Sequence, residues 1–250
     1  MSFGIDAGRP WLAPYAPRLA RVATAAGRDG VARALSADAA AVELAAGHLK
    51  FVAQDGAPPG EAYESFIFRT ACVPTRDNLH DFFNGLVWLE FPEAKRQLNE
   101  LQAREIARSG VGNARGALRD ALTLFDENGA VLDAPLALWE ALLARDWRHL
   151  FVTQRALWRD AKLLVFGHAL LEKLESPRKP ATAHVLRAPG ADPSIAIDDR
   201  AIAAALQPEH LVTKPFVPLP VLGVPGWCFG NENFSFYDDS DVFRSRRVLT

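Results

Sequence analysis

Apolar residues recur at helical spacing along much of the chain. Leu79, Phe82, Phe83, Leu86 and Val87 fall at i, i+3, i+4, i+7 and i+8, which puts them on one stripe of a helix. The pattern predicts a helix over 78–91, with Asp77 as N-cap and Pro92 as its stop. A second helix is expected over 93–108, where Glu100 and Arg104 are spaced to pair on the outer face. Residues 10–35 are Ala/Arg-rich and helical in tendency. Ser36 then reads as the cap of a helix over 37–46 that Gly47 ends. Gly and Pro between 54 and 60 mark a loop, and a short helix over 61–68 follows. A helix over 135–144 is expected to turn Leu136, Trp139, Leu142 and Leu143 inward.

Other stretches read as strands or loops. Leu122-Thr123-Leu124-Phe125 and Ala130-Val131-Leu132 flank Asp126-Glu127-Asn128-Gly129, which predicts a β-hairpin. Residues 162–166 suit either a buried strand feeding a helix that begins near His168 or the first turns of that helix, and 183–187 suit another strand. Residues 147–158 match neither period. Gly-punctuated 109–116 and residues 188–194 read as loops, and Asp198 or Asp199 can cap a helix reaching Leu206. From Gln207 the chain is Pro-rich and aromatic. The expectation is one α+β domain over 1–250, predominantly helical with a few short strands. An irregular arm over 207–250 would pack on the core, because its apolar residues are costly to leave in water.

Composition narrows the function. At 250 residues and 49% hydrophobic content the chain can build a full core, so wholesale disorder is excluded. A formal charge of -2 indicates no nucleic-acid partner. The longest apolar stretch, 215–230, is too short and too Pro-rich to span a membrane, and the first ten residues lack a secretory pattern. Two isolated cysteines, Cys72 and Cys228, form no zinc knuckle and suit a reducing compartment. A cytoplasmic, non-membrane protein is expected. P-loop, dinucleotide-binding and nucleophile-elbow motifs are absent from the sequence.

Several phrases are familiar as a set: Val73-Pro74-Thr75-Arg76, Asn78-Leu79-His80-Asp81-Phe82-Phe83-Asn84, Arg119-Asp120-Ala121-Leu122, Phe166-Gly167-His168-Ala169-Leu170-Leu171-Glu172-Lys173, and Leu222-Gly223-Val224-Pro225-Gly226-Trp227. Together they resemble the bacterial domain-of-unknown-function family three-zero-two-five, from about Tyr63 to Arg244. The resemblance implies a single-domain bacterial protein and brings no established activity.

Chemistry is therefore sought in the residues. His80 and Asn84 share a helical face, with Asp81 about 100° round. Adjacent His-Asp also occurs in metal phosphohydrolases of the HD superfamily, where His48 and Asp126 would complete the ligands. Phe82-Phe83 and the expected hairpin around Asp126 fit that fold badly. His168 and Glu172 stand at i and i+4, a workable chelate spacing at a helix start, where the dipole favours neutral imidazole. His184 follows on a strand edge. Asp126 and Glu127 could serve acid–base or metal chemistry or be plain turn residues. Asp120 is expected to pair with Arg76, Arg115 or Arg119. Cys72 reads as an inert thiol.

The functional expectation is a hydrolase in which His80, Asp81, His168 and Glu172 are catalytic and His80, His168 and His184 hold a divalent metal, acting on a small molecule. The alternative, from another class, is a non-catalytic ligand-binding or interaction domain whose histidines are internal hydrogen-bond partners. Oligomeric state is not readable from these patterns.

Overall fold

The computed structural model describes residues 4–39, 42–110, 116–188 and 197–246. It opens with a 3₁₀ turn and two helices, α1 (Ala16–Asp29) and α2 (Val31–Asp38), broken apart at Gly30, whose φ of 85° ends the first. The helix expected over 37–46 does not form. Ser36 is not its cap, because its hydroxyl donates to the Phe51 carbonyl at 2.8 Å and accepts from the Phe51 N–H at 2.9 Å. That clasp ends α2 against a strand. The following residues make the small antiparallel pair β1 (Glu43–Leu44) and β2 (Gly47–His48).

Strand β3 (Lys50–Ala53) runs parallel to β4 (Cys72–Thr75), joined through α3 (Tyr63–Thr70). Next come α4 (Leu79–Glu90) and α5 (Pro92–Ser109), close to the predicted bounds. Asn78, not Asp77, caps α4, its Oδ1 accepting from the Asp81 N–H at 2.7 Å. Asp77 instead accepts from the Val31 N–H at 2.7 Å and holds the start of α2. Helix α4 runs through the centre of the core, with every residue from Asp81 to Leu89 buried, so its apolar surface extends well beyond one stripe.

The expected hairpin is replaced by α6 (Ala117–Asn128) followed directly by β5 (Gly129–Asp133). Leu118, Ala121, Leu122 and Phe125 are all buried at i, i+3, i+4 and i+7, and this helical stripe outweighs the turn signal in Asp126-Glu127-Asn128-Gly129. Asp120 is exposed on α6. Arg76 takes Asp81 as its partner instead. In α7 (Leu136–Ala144), Leu138, Trp139, Ala141 and Leu142 point inward, whereas Leu136 and Leu143 are exposed, contrary to the expected face. The undecided segment at 147–158 holds one π-helical turn and a 3₁₀ turn, which explains why neither period matched it.

Strand β6 (Lys162–Val165) leads into α8 (His168–Lys173), and β7 (Thr182–Arg187) follows, as the pattern implied. Helix α9 (Asp199–Ala205) is capped by Asp198, while Asp199 accepts from the Glu93 and Ala94 N–H groups and caps α5. The expected loops at 109–116 and 188–194 lie largely outside the described residues, at 111–115 and 189–194. The C-terminal arm is more regular than expected. It contributes α10 (Pro208–Leu211) and β8 (Val217–Pro220), an edge strand of a four-stranded sheet ordered β6-β5-β7-β8. Only β5 and β7 run parallel there. Beyond β8 the arm buries Tyr237 and Phe243 against Phe151, and Phe243 also meets Trp147. The result is a mainly helical α+β domain. No described helix is long and apolar enough to cross a membrane.

Candidate functional site

The first turn of α4, the last turn of α6 and the first turn of α8 converge on one cleft of about 270 Å³. Its walls carry His80, Asp81 and Asn84 from α4, Asp126 and Glu127 from α6, and His168 from α8. Tyr63 and Glu64 open α3 on another side, and Arg76 follows β4. Gly167 makes the approach of α8 to α6 possible. A Cβ there would lie 2.5 Å from the Glu127 carbonyl oxygen and 2.5 Å from the Asn128 nitrogen, both backbone atoms that cannot step aside. This contact sets His168 beside Glu127.

The two imidazoles meet tip to tip. Nε2 of His80 is 3.2 Å from Nε2 of His168, with the rings nearly perpendicular. Behind them stand carboxylates. Glu172 Oε2 lies 2.9 Å from His80 Nδ1, and Asp126 Oδ2 lies 3.9 Å from His168 Nδ1. Glu127 Oε1 approaches the shared side, 3.7 Å from His168 Nε2. One donor atom each from His80, Glu127 and His168 falls within 4.8 Å of the other two.

The direction of the hydrogen bond between the two rings depends on which Nε2 carries the proton. His168 is buried, and burial pushes its pKa down to about 4. The charges of Lys95 and His80 push the same way, while the Asp126 carboxylate and backbone oppose. The ring is therefore neutral near pH 7, and desolvation is the largest cause. If its Nε2 accepts from His80, its Nδ1 carries the proton toward Asp126; if its Nε2 donates to His80, its Nδ1 is a bare lone pair aimed at acidic surroundings. That Nδ1 is buried without a hydrogen-bond partner among the described residues. If both Nε2 atoms instead present lone pairs to a cation, each Nδ1 carries a proton; that of His80 has Glu172 at 2.9 Å, while Asp126 Oδ2 stands 3.9 Å from that of His168. Two nitrogens bound at 2.0–2.1 Å in a tetrahedral site stand about 3.3 Å apart, which matches the observed separation.

The polar frame around the triad is tightly paired. Lys95, 3% exposed, donates to Asp126 Oδ1 at 2.6 Å and Asn84 Oδ1 at 2.9 Å, and its ammonium lies 5.3 Å from the Trp88 ring centre. Burial would raise the Asp126 pKa, but the charges and hydrogen bond of Lys95 and the charge of His168 outweigh it and hold the carboxyl below its ordinary range. Asn84 in turn donates to the Tyr63 hydroxyl at 3.0 Å. Asp81 is claimed by Arg76 through a fork of two 3.0 Å bonds and by the Arg76 N–H at 2.6 Å. Its carboxylate anchors the Arg76 guanidinium at the cleft rather than reaching His80.

The family described as "Protein of unknown function (DUF3025)" matches residues 49–247. The chain belongs to this family. No curated protein and no solved structure matches it, so the functional reading of this DUF3025 chain rests on the cleft itself.

Of the residues expected from sequence, the structure brings His80, His168 and Glu172 together. It places Asp81 in the same cleft with Arg76 as its partner. The expected trio of imidazoles does not assemble. His184 sits on β7 opposite Gly129 and Pro218, is not among the cleft-lining residues, and is replaced by Glu127 as the third donor. His48, needed for an HD-type ligand set, is exposed on β2 and nearest Glu43, and Asp126 belongs to a helix rather than a hairpin. Sequence gives no sign of Glu64, Tyr63 or Lys95 at the cleft. Helical spacing puts Asn84 on the His80 face and the structure has both in the cleft, but nothing local marks Glu64 or Lys95. Cys72 keeps to a backbone contact with Thr70, and Trp227 packs on Trp11.

Proposed function

We propose that the cleft is a hydrolytic metal centre in which His80 Nε2, His168 Nε2 and the Glu127 carboxylate hold one divalent cation. The observation that carries this reading is the 3.2 Å Nε2–Nε2 contact, with Glu172 behind the far nitrogen of His80. Two imidazoles and one carboxylate form a donor set used by hydrolytic zinc, with room left for water. Bound to such an ion, water loses a proton near pH ~7 and becomes a nucleophile. Glu172 orients His80, and the Lys95-bound Asp126 stands behind His168.

Charge balance favours a small molecule with an ester or amide bond over a phosphate. Both fixed cations of the site are matched, Arg76 by Asp81 and Lys95 by Asp126, while Glu127 offsets part of the metal's charge. Little positive field remains to hold a polyanion. The unpaired thiols of Cys72 and Cys228 fit a cytoplasmic setting.

The test is elemental analysis of purified protein together with thermal unfolding on titration with Zn²⁺ or Mn²⁺. The expected result is close to one equivalent of metal and a rise in Tm, both lost in the His80→Ala, His168→Ala double variant. Metal-free protein whose Tm ignores both ions would overturn the proposal.

A further inference from the structure

We propose that Glu64 is the proton-transfer group of this cleft, accepting a proton from the attacking water and delivering it to the leaving group. The inference rests on the metal reading above and deepens it.

Glu64 lies in the first turn of α3, on the wall of the cavity that contains His80, Glu127 and His168. One buried amide pins it twice. Asn99 Nδ2, from α5, donates to Glu64 Oε2 at 2.5 Å and to the Glu64 carbonyl oxygen at 2.9 Å. Asn99 is itself 4% exposed, so it holds a fixed position. The other oxygen, Oε1, has no hydrogen-bond partner among the described residues and is not among the sequestered unpaired atoms. It therefore keeps contact with solvent, and Glu64 is among the residues that line the cleft. A carboxylate on the cavity wall with one oxygen tethered and the other unpaired is placed as a general base is in a cleft.

The surroundings tune it. Burial raises the Glu64 pKa to about 7, and the Asp126 and Glu127 charges add to the rise. The Lys95 charge and the Asn99 hydrogen bond pull it back in part. Lys95 directs its own bonds to Asp126 and Asn84, so Glu64 has no direct cation partner among the described residues. Tyr63 is its neighbour on α3 and is held by Asn84 rather than by Glu64. A group poised near neutrality can both accept and return a proton at working pH.

The step balances as hydrolysis. An O–H bond of water breaks as its oxygen bonds to the acyl carbon, and the proton goes to Glu64 Oε1. The bond from carbon to the leaving nitrogen or oxygen then breaks, and the same proton passes to that atom. The products are a carboxylic acid and an amine or alcohol, with no change of oxidation state.

The experiment uses the full chain loaded with Co²⁺, p-nitrophenyl acetate as the probe ester, and Glu64→Gln and Glu64→Asp variants. Co²⁺ affinity should be unchanged in Glu64→Gln. Its hydrolysis rate should fall about 10²–10⁴-fold, and the rise in rate through pH ~7 should disappear. Infrared spectra should show a protonated carboxyl band that fades across the same pH range and is absent from Glu64→Gln. Should the Gln variant not fold, Glu64→Asp carries the comparison, keeping the pH limb at a lowered rate. Unchanged rate and pH limb in Glu64→Gln, with Co²⁺ bound, overturn the role of Glu64 and leave the metal centre standing. A loaded wild type that does not hydrolyse the ester overturns the step, and failure to bind Co²⁺ overturns both readings.

Discussion

Replacing Lys95 with Met puts the packing of the site to a quantitative test. The wild-type ammonium is 3% exposed, and its contacts to Asp126 and Asn84 are 2.6 and 2.9 Å. Met keeps the volume of the stem and removes the charge, leaving Asp126 buried without its cation. Breaking one side of a buried pair costs about 3–5 kcal/mol, because the remaining charge is uncompensated. Against a total stability of roughly 5–15 kcal/mol that is a large fraction, and at this chain length it lowers Tm by roughly 6–20 °C. The sign with pH follows from Asp126. In the wild type its folded pKa is depressed, so the pair stabilises above the unfolded carboxylate value and the benefit is lost as pH falls through the folded one. In Lys95→Met the folded pKa is raised, so the penalty is full at pH 7 and fades as pH falls toward ~4. The assay is denaturant unfolding of chelator-treated protein from pH 7 to about pH 4.5, which keeps metal linkage out of the comparison. Adding Asp126→Asn should recover much of the loss, since the stranded charge is then gone. A loss under about 1 kcal/mol at pH 7, or a gap that does not narrow between pH 7 and about pH 4.5, would refute this account of the Lys95–Asp126 pair.

Two further outcomes are expected. Glu172→Gln should weaken metal binding about 10–100-fold without changing stoichiometry, since Glu172 contacts His80 Nδ1 and not the ion; calorimetric titration with Zn²⁺ reads it. Gly167→Ala should cost about 1–3 kcal/mol or more in unfolding experiments, because the added methyl meets the backbone of Glu127 and Asn128, and metal affinity should fall with it as α8 is pushed from α6.

The elements that sequence predicted well are those whose local pattern and tertiary setting agree. Helices α4 and α5 show helical spacing, a Pro between them and Gly110 after the second, and the structure keeps those bounds closely. The errors arose where a local signal competed with burial. Asp126-Glu127-Asn128-Gly129 has the composition of a hairpin turn, yet the stripe from Leu118 to Phe125 carries α6 on to Asn128. Ser36 has the chemistry of a cap and is used instead as a clasp to β3. Leu136 and Leu143 were assigned inward on the strength of hydrophobicity, but a helix half covered by other elements leaves some leucines outside.

For the site, sequence alone identified the chemically capable residues. His80 and Asp81 open a helix, and His168 with Glu172 opens another at chelate spacing; these are facts of residue type and period, which local propensity fixes. Only the tertiary structure decided which side chains meet. Glu127 displaced His184 as the third donor because the close approach at Gly167 brings the end of α6 to the start of α8, while β7 carries His184 into the sheet. Glu64 and Lys95 gained their roles the same way, from burial and from charges contributed by other helices. Those properties depend on distances between segments far apart in the chain, and no local pattern encodes such distances.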